Sequence, residues 1–427
     1  MNTAVMRMKL LLMLAISFYY VTLQLTYILI ISPTYAYLGF VNNHPSIGWI
    51  LISFILVVIP GLWMPIRLTR PSQIVYWFLF VIVYVPSAII PYYIAETEMI
   101  NFLFIQLILF LSILLLSLIY QLPVLKVPRI LIGKKQYWTL IYTVAAIFMG
   151  YIISIFGLKL NIVSLEQVYT IRSAYKEALA ASGGGLIAYV IIWQGNVINP
   201  LLIISGLFEK KITPFLIGVF AQLLIYSITG FKSILFSTVL IVAFIIVLIN
   251  RGKYAGYLMV GGITSFVLVS GFFSLISVQA LLFIQRLIMM PGLLTGYYIE
   301  YFSENDKAYL GYSIFKRFIS YQYNLEPSNL IGKVYFGNPA TSANANIWAD
   351  AFANFGFIGI LLFTIILAII LWLYDSLSQE RDFYITSLLL AVPAFSLSNA
   401  SLLTCLITHG IALTLLVVYF VPKKGDL

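Results

Sequence analysis

The sequence predicts an all-α, polytopic membrane protein with about twelve transmembrane helices, and three observations predict it. Of its 427 residues, 62% are hydrophobic and only 9% are charged, more apolar surface than a soluble core could hide. Apolar runs of about eighteen residues or more recur between charged or Pro/Gly punctuation. Basic residues gather in alternate gaps between those runs, as the positive-inside rule requires.

The first run, 10–31, is about twenty-two residues long and lacks a small-residue cleavage site, so it reads as a retained helix rather than a cleaved signal. The others are 47–66, 73–94, 102–121, 137–157, 185–208, 213–230, 233–250, 255–278, 356–374, 383–400 and 402–421, of which the last two also read as one broken element. Two sizeable segments, 158–184 and 279–354, read as outer loops with short helices. No internal repeat or low-complexity linker is evident, so 1–427 reads as a single membrane domain.

Placing Arg7 and Lys9 inside the cell also places Arg67, Arg70, Lys126, Arg129, Lys134, Lys135, Lys210, Lys211, Arg251, Lys253, Arg381, Lys423 and Lys424 inside. Against these fifteen cations stand only five acids on that side: Glu209, Asp375, Glu380, Asp382 and Asp426. Nine residues of each sign remain outside, so both termini are expected in the cytoplasm. The net charge of +10 is dispersed between spans without a basic domain, which points to anionic lipid head groups and not to nucleic acid. The single Cys405 excludes an intramolecular disulfide or a cysteine-rich metal site. His44 and His409 fit no metal-spacing motif, and no P-loop or dinucleotide fingerprint is present, so neither a metal nor a nucleotide cofactor is expected.

Candidate chemistry concentrates in the two outer loops. Cations there bind anions more often than elsewhere, because basic residues are usually kept out of short translocated loops. In the first loop, Val168–Ala181 has helical composition and runs into Gly183, Gly184 and Gly185, which stop a helix. Arg172 and Lys176 lie four apart on one face, placed either to meet a diphosphate jointly or to pair with Glu166 and Glu177 as a solvated surface. The turn ITGFKS places Lys232 at the outer membrane face, where it snorkels or neutralises an anion. Arg286 opens the second loop near the membrane face; a guanidinium there grips phosphate through two parallel bonds or snorkels to head groups. Lys307, Lys316, Arg317 and Lys333 are further cations of this loop. Aromatic residues crowd the loop, Tyr297, Tyr298, Tyr301, Phe302, Tyr309, Tyr312, Tyr321, Tyr323, Tyr335 and Phe336, whose flat faces suit sugar rings but read for the most part as an interfacial belt.

The sharpest local feature is TSANANIWADAFANFGFIG. Asn344 reads as a helix cap, and Asn346, Asp350 and Asn354 follow at i, i+4 and i+8 on one face of an otherwise small and apolar helix. Such a face lines a wet cavity or meets partner groups. Asp350, its one acid, is the candidate general base; the alternative is a structural salt bridge to an arginine of the same loop.

The chain resembles the Wzy-type oligosaccharide repeat-unit polymerases of O-antigen and capsule. The resemblance rests on YTIRSAYKE around Arg172, TGFKS around Lys232, RLIMMPGLLTGYYIEYFS from Arg286 and NANIWADAFANFGFIG from Asn344. Arg172, ten residues and then Gly183 match the arginine-to-glycine spacing of outer loops in such polymerases, whereas Gly296 follows Arg286 after nine. The wider group, including the O-antigen ligases, has a histidine and an asparagine shortly before a final Gly-x-x-Gly helix. Here Gly356, Gly359 and Asn346 fit, but Ala345 stands at the histidine position, which moves the expected proton acceptor to Asp350.

What the resemblance implies is a GT-C-like glycosyltransferase in the bacterial cytoplasmic membrane. It would transfer a glycan from undecaprenyl diphosphate to a sugar hydroxyl of another lipid-linked repeat unit at the outer face, with a chain-length regulator as a possible partner. Arg172, Lys232, Arg286 and Arg317 would then meet the leaving diphosphate, with Lys176, Tyr298, Asn344 and Asn346 as further substrate contacts. The rivals are a ligase or another lipid-linked glycosyltransferase, and a flippase or transporter, whose helix number and termini would be the same. Polyprenyl-phosphate-sugar transferases usually carry an acid in the first outer loop. SPTYAYLGFVNNHPSIG has none, although Glu96 and Glu98 lie in the next outer turn.

Overall fold

The computed structural model describes residues 3–95, 99–128, 130, 132–158, 168–181, 183–274 and 279–423. Expectations resting on Glu96, Glu98, Arg129, Glu166, Lys424 and Asp426 fall outside the described residues. The regular structure of the described residues is all helical: α1 Thr3–Leu38, α2 Ile47–Leu62, α3 Gln73–Ile94, α4 Met99–Gln121, α5 Lys134–Phe156, α6 Val168–Ala181, α7 Gly185–Phe208, α8 Ile212–Thr229, α9 Lys232–Val247, α10 Ala255–Ser274, α11 Leu281–Glu304, α12 Pro327–Phe336, α13 Ile347–Leu377, α14 Phe383–Ser398 and α15 Leu402–Phe420. Among the described residues, ten of these helices are long and apolar enough to cross a membrane, and α2, α9 and α14 are shorter apolar helices. The chain is a multi-pass membrane protein.

Contacts between distant segments show which helix ends lie together. Lys9 Nζ donates to the Met64 carbonyl, and Tyr257 to that of Met8. The Ser72 amide and hydroxyl donate to Asp375, Trp372 to the Pro123 carbonyl, Tyr419 to that of Pro128, and the Arg251 amide to Tyr384. Cations that the charge pattern groups on one side therefore share one face, which we call the terminal face. At the opposite loop face, Asn43 bonds the carbonyls of Ile94 and Ala95, and Tyr297 that of Gly39.

Helix α3 is buried along its whole length and forms the centre of the bundle, the position expected for a helix apolar all round. Around it, α1 turns Leu14, Phe18, Leu25 and Leu29 outward, an apolar stripe at helical spacing that suits lipid.

Four helices widen to π geometry, each just before a proline: Tyr27–Ile31 before Pro33, Leu79–Tyr84 before Pro86, Gln194–Ile198 before Pro200 and Gln285–Met289 before Pro291. In each the residue preceding the proline donates its amide five positions back, as Val85 does to Phe80 and Met290 to Gln285. A proline ring would clash with the carbonyl four residues earlier, and the wider turn relieves that clash without leaving backbone groups unbonded in an apolar setting.

The segment 279–354, read from sequence as an outer loop, enters the bundle twice. Helix α11 begins within a few residues of the loop-face end of α10, whose Gly271 packs beside Ile30. It then follows α3 back toward the same face, with Gly292 against Pro86, Gly296 against Ile94 and Tyr297 at Gly39. From Ile288 to Ile299 it is thus largely enclosed by the protein. Its Arg286, Pro291, Gly292 and Gly296 break the apolar run that marks a span, which hides it in the sequence.

The second entry is the start of α13. Trp348 Nε1 donates to Thr364 Oγ1 at 3.0 Å, whereas sixteen residues of straight helix would separate the two by about 24 Å. Helix α13 therefore folds back on itself. The reversal lies at Phe355 (φ −141°, ψ 18°) and Gly356 (φ 61°, ψ −146°), the latter a conformation open essentially to glycine alone. Gly359 completes the hairpin, since a Cβ there would stand 2.2 Å from the Ala351 carbonyl oxygen on the other arm.

Candidate functional site

The short arm of this hairpin, 347–354, carries the polar face read from the sequence. Its cap is Asn346, not Asn344: Asn346 Oδ1 accepts from the amides of Trp348 (3.0 Å) and Ala349 (3.1 Å). Its Nδ2 donates to the Pro291 carbonyl (3.2 Å) and to Thr295 Oγ1 (2.7 Å), and Thr295 in turn bonds Ser87 Oγ at 2.9 Å. An asparagine amide offers two donors and two acceptor sites: the acceptor sites cap the arm itself, and the two donors fasten it to α11, which Thr295 links on to α3. Asn344 is instead exposed and accepts from Ser342 Oγ. One residue decides the difference, because only Asn346 has extended backbone immediately ahead of the first helical residue.

One turn on, Asp350 is 6% exposed. Tyr312 Oη donates to its Oδ1 at 2.5 Å, and Asn354 Nδ2 approaches Oδ2 at 3.3 Å. Asn354 also donates to Tyr312 Oη (3.0 Å) and accepts the Leu310 amide on Oδ1 (2.7 Å). Burial first, and the Asp350 charge second, hold the Tyr312 hydroxyl well above its usual range, so it keeps its proton and remains the donor. The ion pair to a loop arginine left open by the sequence is not formed: none of the ion pairs among the described residues involves Asp350. Its charge is met by neutral groups and by its place in the first turn of a helix. A carboxylate has about four acceptor sites, so two contacts leave it capacity to take a proton from a hydroxyl.

Sequence reasoning counted Tyr312 among the loop's aromatics and Lys307 among its cations but tied neither to Asp350. Tyr312 sits in the irregular stretch YLGYS, where no periodicity marks it. Lys307 places Nζ 4.5 Å from the centroid of the Phe352 ring and donates to the Phe302 carbonyl. Burial lowers its hold on the proton, so an anionic ligand here would favour the ammonium form. Tyr309 (φ 47°) and Leu310 (φ 62°) are held in left-handed conformations that aim the Leu310 amide at Asn354. Such geometry in bulky residues marks a strained segment gripped by its surroundings.

The cations form a second group. Arg172 Nε donates to the Gly230 carbonyl at 3.3 Å, which seats it on the end of α8, two residues from Lys232. One turn below Lys232, Phe236 meets Phe283 edge-on at 5.5 Å, and Arg286 follows three residues later. Arg286 itself is exposed and acts electrostatically on Tyr35. The structure thus draws Arg172, Lys232 and Arg286 onto one flank. Among the described residues, no hydrogen bond or ion pair joins them to Asp350. Lys176 and Arg317 are exposed, and neither Arg172 nor Lys176 pairs with Glu177.

Tyr298 is buried, with its hydroxyl on the Ala343 carbonyl at 2.9 Å. The loop aromatics pack on one another, in ring contacts leading from Tyr312 through Tyr321 and Tyr323 to Tyr301 and Phe302. Tyr297 stacks on Tyr335 at 4.0 Å. These rings make a small core over the hairpin. No protein-family model, curated protein or solved structure matches this chain.

Proposed function

We propose that this protein is a membrane glycosyltransferase of the repeat-unit polymerase type. It joins polyprenyl-diphosphate-linked oligosaccharides at the outer face of the bacterial cytoplasmic membrane, with both termini in the cytoplasm and the loop face outward. The observation that carries the reading is Asp350, a buried carboxylate without a cation partner, held by Tyr312 and Asn354 on a half-helix inside the bundle. A group so placed is suited to accept a proton during a reaction between neutral hydroxyl and activated sugar.

In the proposed step the acceptor hydroxyl gives its proton to Asp350 while its oxygen bonds to the anomeric carbon of the donor. The bond from that carbon to the diphosphate oxygen breaks, and its electron pair leaves with the lipid diphosphate. Lys307, or Arg172, Lys232 and Arg286 on the neighbouring flank, meets the charge that develops there. The donor supplies its own activation, so the step needs no nucleotide. Purified full-length protein in nanodiscs, given lipid-linked repeat units, should lengthen the glycan and release polyprenyl diphosphate. No lengthening by well-folded protein would overturn the proposal.

One observation favours a lipid-linked oligosaccharide flippase instead. Half-helices and polar groups inside the bundle, here the α13 hairpin and the network linking Gln194, Asn199, Gln222 and Ser237, are features of transporters. Movement of lipid-linked units across a vesicle bilayer, with no change in glycan length, would favour that reading.

A further inference from the structure

Residues 305–323 form a strap over the α13 hairpin, and its middle has nothing to pack on. One side is fastened: the Ala308 amide donates to the Ala353 carbonyl (2.9 Å), the Leu310 amide to Asn354 and Tyr312 to Asp350. Beyond Tyr312 the chain winds through tight turns, with the Lys316 amide on the Ser313 carbonyl and the Phe318 amide on that of Phe315. The tip so formed turns Ile314, Phe315 and Phe318 outward, the last 86% exposed, with Lys316 and Arg317 exposed between them.

An aromatic ring that far from any partner is unfavourable in water, and its surroundings indicate what covers it. At the root of the strap Tyr309 packs edge-on against Phe355, at the hairpin turn. Directly below the turn, the long arm of α13 exposes an apolar row beginning at Phe357 and Ile358, the latter 77% exposed, and continuing through Leu362, Ile365 and Ile369. The root of the strap therefore lies at the loop-face rim of the lipid-facing band. Cations interleaved with aromatic and aliphatic side chains match the boundary where phosphates overlie acyl chains.

We infer that the tip of this strap docks into the phospholipid leaflet at the loop face, with Ile314, Phe315 and Phe318 at the level of the upper acyl chains and Lys316 and Arg317 on lipid phosphates. Held by the leaflet at one side and by Asp350 and Asn354 at the other, the strap ties the carboxylate's hydrogen-bond donor to the membrane surface. The docking does not depend on any reaction at Asp350.

The test uses full-length protein in nanodiscs containing phosphatidylglycerol, with spin labels placed singly through Phe318→Cys, Phe315→Cys, Ile358→Cys and Ser342→Cys. The unsubstituted chain, whose only cysteine is the buried Cys405, sets the background. At 318 and 315, collision with oxygen should exceed collision with a water-soluble nickel chelate several-fold, as at 358 and opposite to 342. Replacing Lys316 and Arg317 by Gln should shift both labels toward the chelate. Chelate-dominated collision at both tip positions would overturn the inference. So would protection from both reagents with spin–spin coupling between two protein copies, which would make the tip a protein contact. Two labelling positions guard against failure of either variant to fold.

Discussion

A carboxylate buried beside an amide and a hydroxyl, with no cation, is costly for folding, and Asp350 is held in just such a setting by Tyr312 and Asn354. Asp350→Asn preserves shape and still accepts the Tyr312 hydroxyl, while it removes the proposed base and gives up the long Asn354 contact at Oδ2. Turnover of purified protein should therefore fall by about 100-fold or more while the amount of folded protein in the membrane stays near normal. Near-normal turnover would remove Asp350 from the chemistry. Tyr312→Phe takes away one hydrogen bond to a charged group, worth about 1.5 kcal/mol, and should slow turnover about tenfold without preventing binding of the donor lipid. The arginines invite a different comparison, because Arg172 already donates to the end of α8. Arg172→Ala and Arg286→Ala should each shorten or abolish the polymer. Lysine at either position should rescue poorly, since an ammonium lacks the planar two-bond grip on phosphate. Full polymer length in both alanine variants would separate that flank from the reaction. Asp350 was legible because i, i+4, i+8 spacing survives in any helix. Tyr312 was not, because it reaches the carboxylate from a strap thirty-eight residues away in sequence.

The α13 hairpin makes two glycines necessary for different reasons, and substitutions can tell them apart. Gly356 occupies a conformation that costs a side chain about 1–3 kcal/mol, whereas Gly359 is in ordinary helix but lies against the Ala351 carbonyl oxygen. Gly356→Ala and Gly359→Ala should both lower the thermal unfolding midpoint of detergent-purified protein and abolish turnover, because either change pries Asp350 from its partners. Gly150→Ala is the control: a Cβ there meets nothing within 4 Å, and alanine favours helix, so stability should hold or rise. An unaltered midpoint in Gly359→Ala would show that the two arms are not closely packed. The spans themselves were readable from apolar length, and the shared face of Lys9, Arg70, Arg251 and Lys423 from charge. The hairpin was not readable as such. Sequence gives a Gly-x-x-Gly pair ahead of an apolar run, but the fold-back becomes evident only when Trp348 is found bonded to Thr364. The enclosed α11 was hidden for a related reason, since Pro291, Gly292 and Gly296 read as breaks. In the structure they allow a widened turn and close backbone approach to α3.

At the scale of the whole molecule, charged groups gather in two zones, a cation-rich terminal face that holds its turns together and a loop-face cap of rings, strap and hairpin over Asp350, while the buried Gln194, Asn199, Gln222 and Ser237 network inside the bundle carries no charge. A protein that moved a whole lipid-linked oligosaccharide across the bilayer would need a polar path joining the two, and would leave its cargo on the cytoplasmic leaflet when removed. A polymerase needs only the loop-face site, and its removal leaves translocation running. Deleting the gene should therefore cause single repeat units on polyprenyl diphosphate to accumulate in the outer leaflet, with surface glycan limited to one repeat. Restoring Asp350→Asn should reproduce that phenotype with normal protein level, whereas restoring the unsubstituted gene should bring back long chains. Leaflet-specific labelling of the lipid-linked pool, read alongside glycan length on a gel, separates the alternatives: a pool confined to the cytoplasmic leaflet would make the protein a flippase and leave Asp350 without its proposed part in glycosyl transfer.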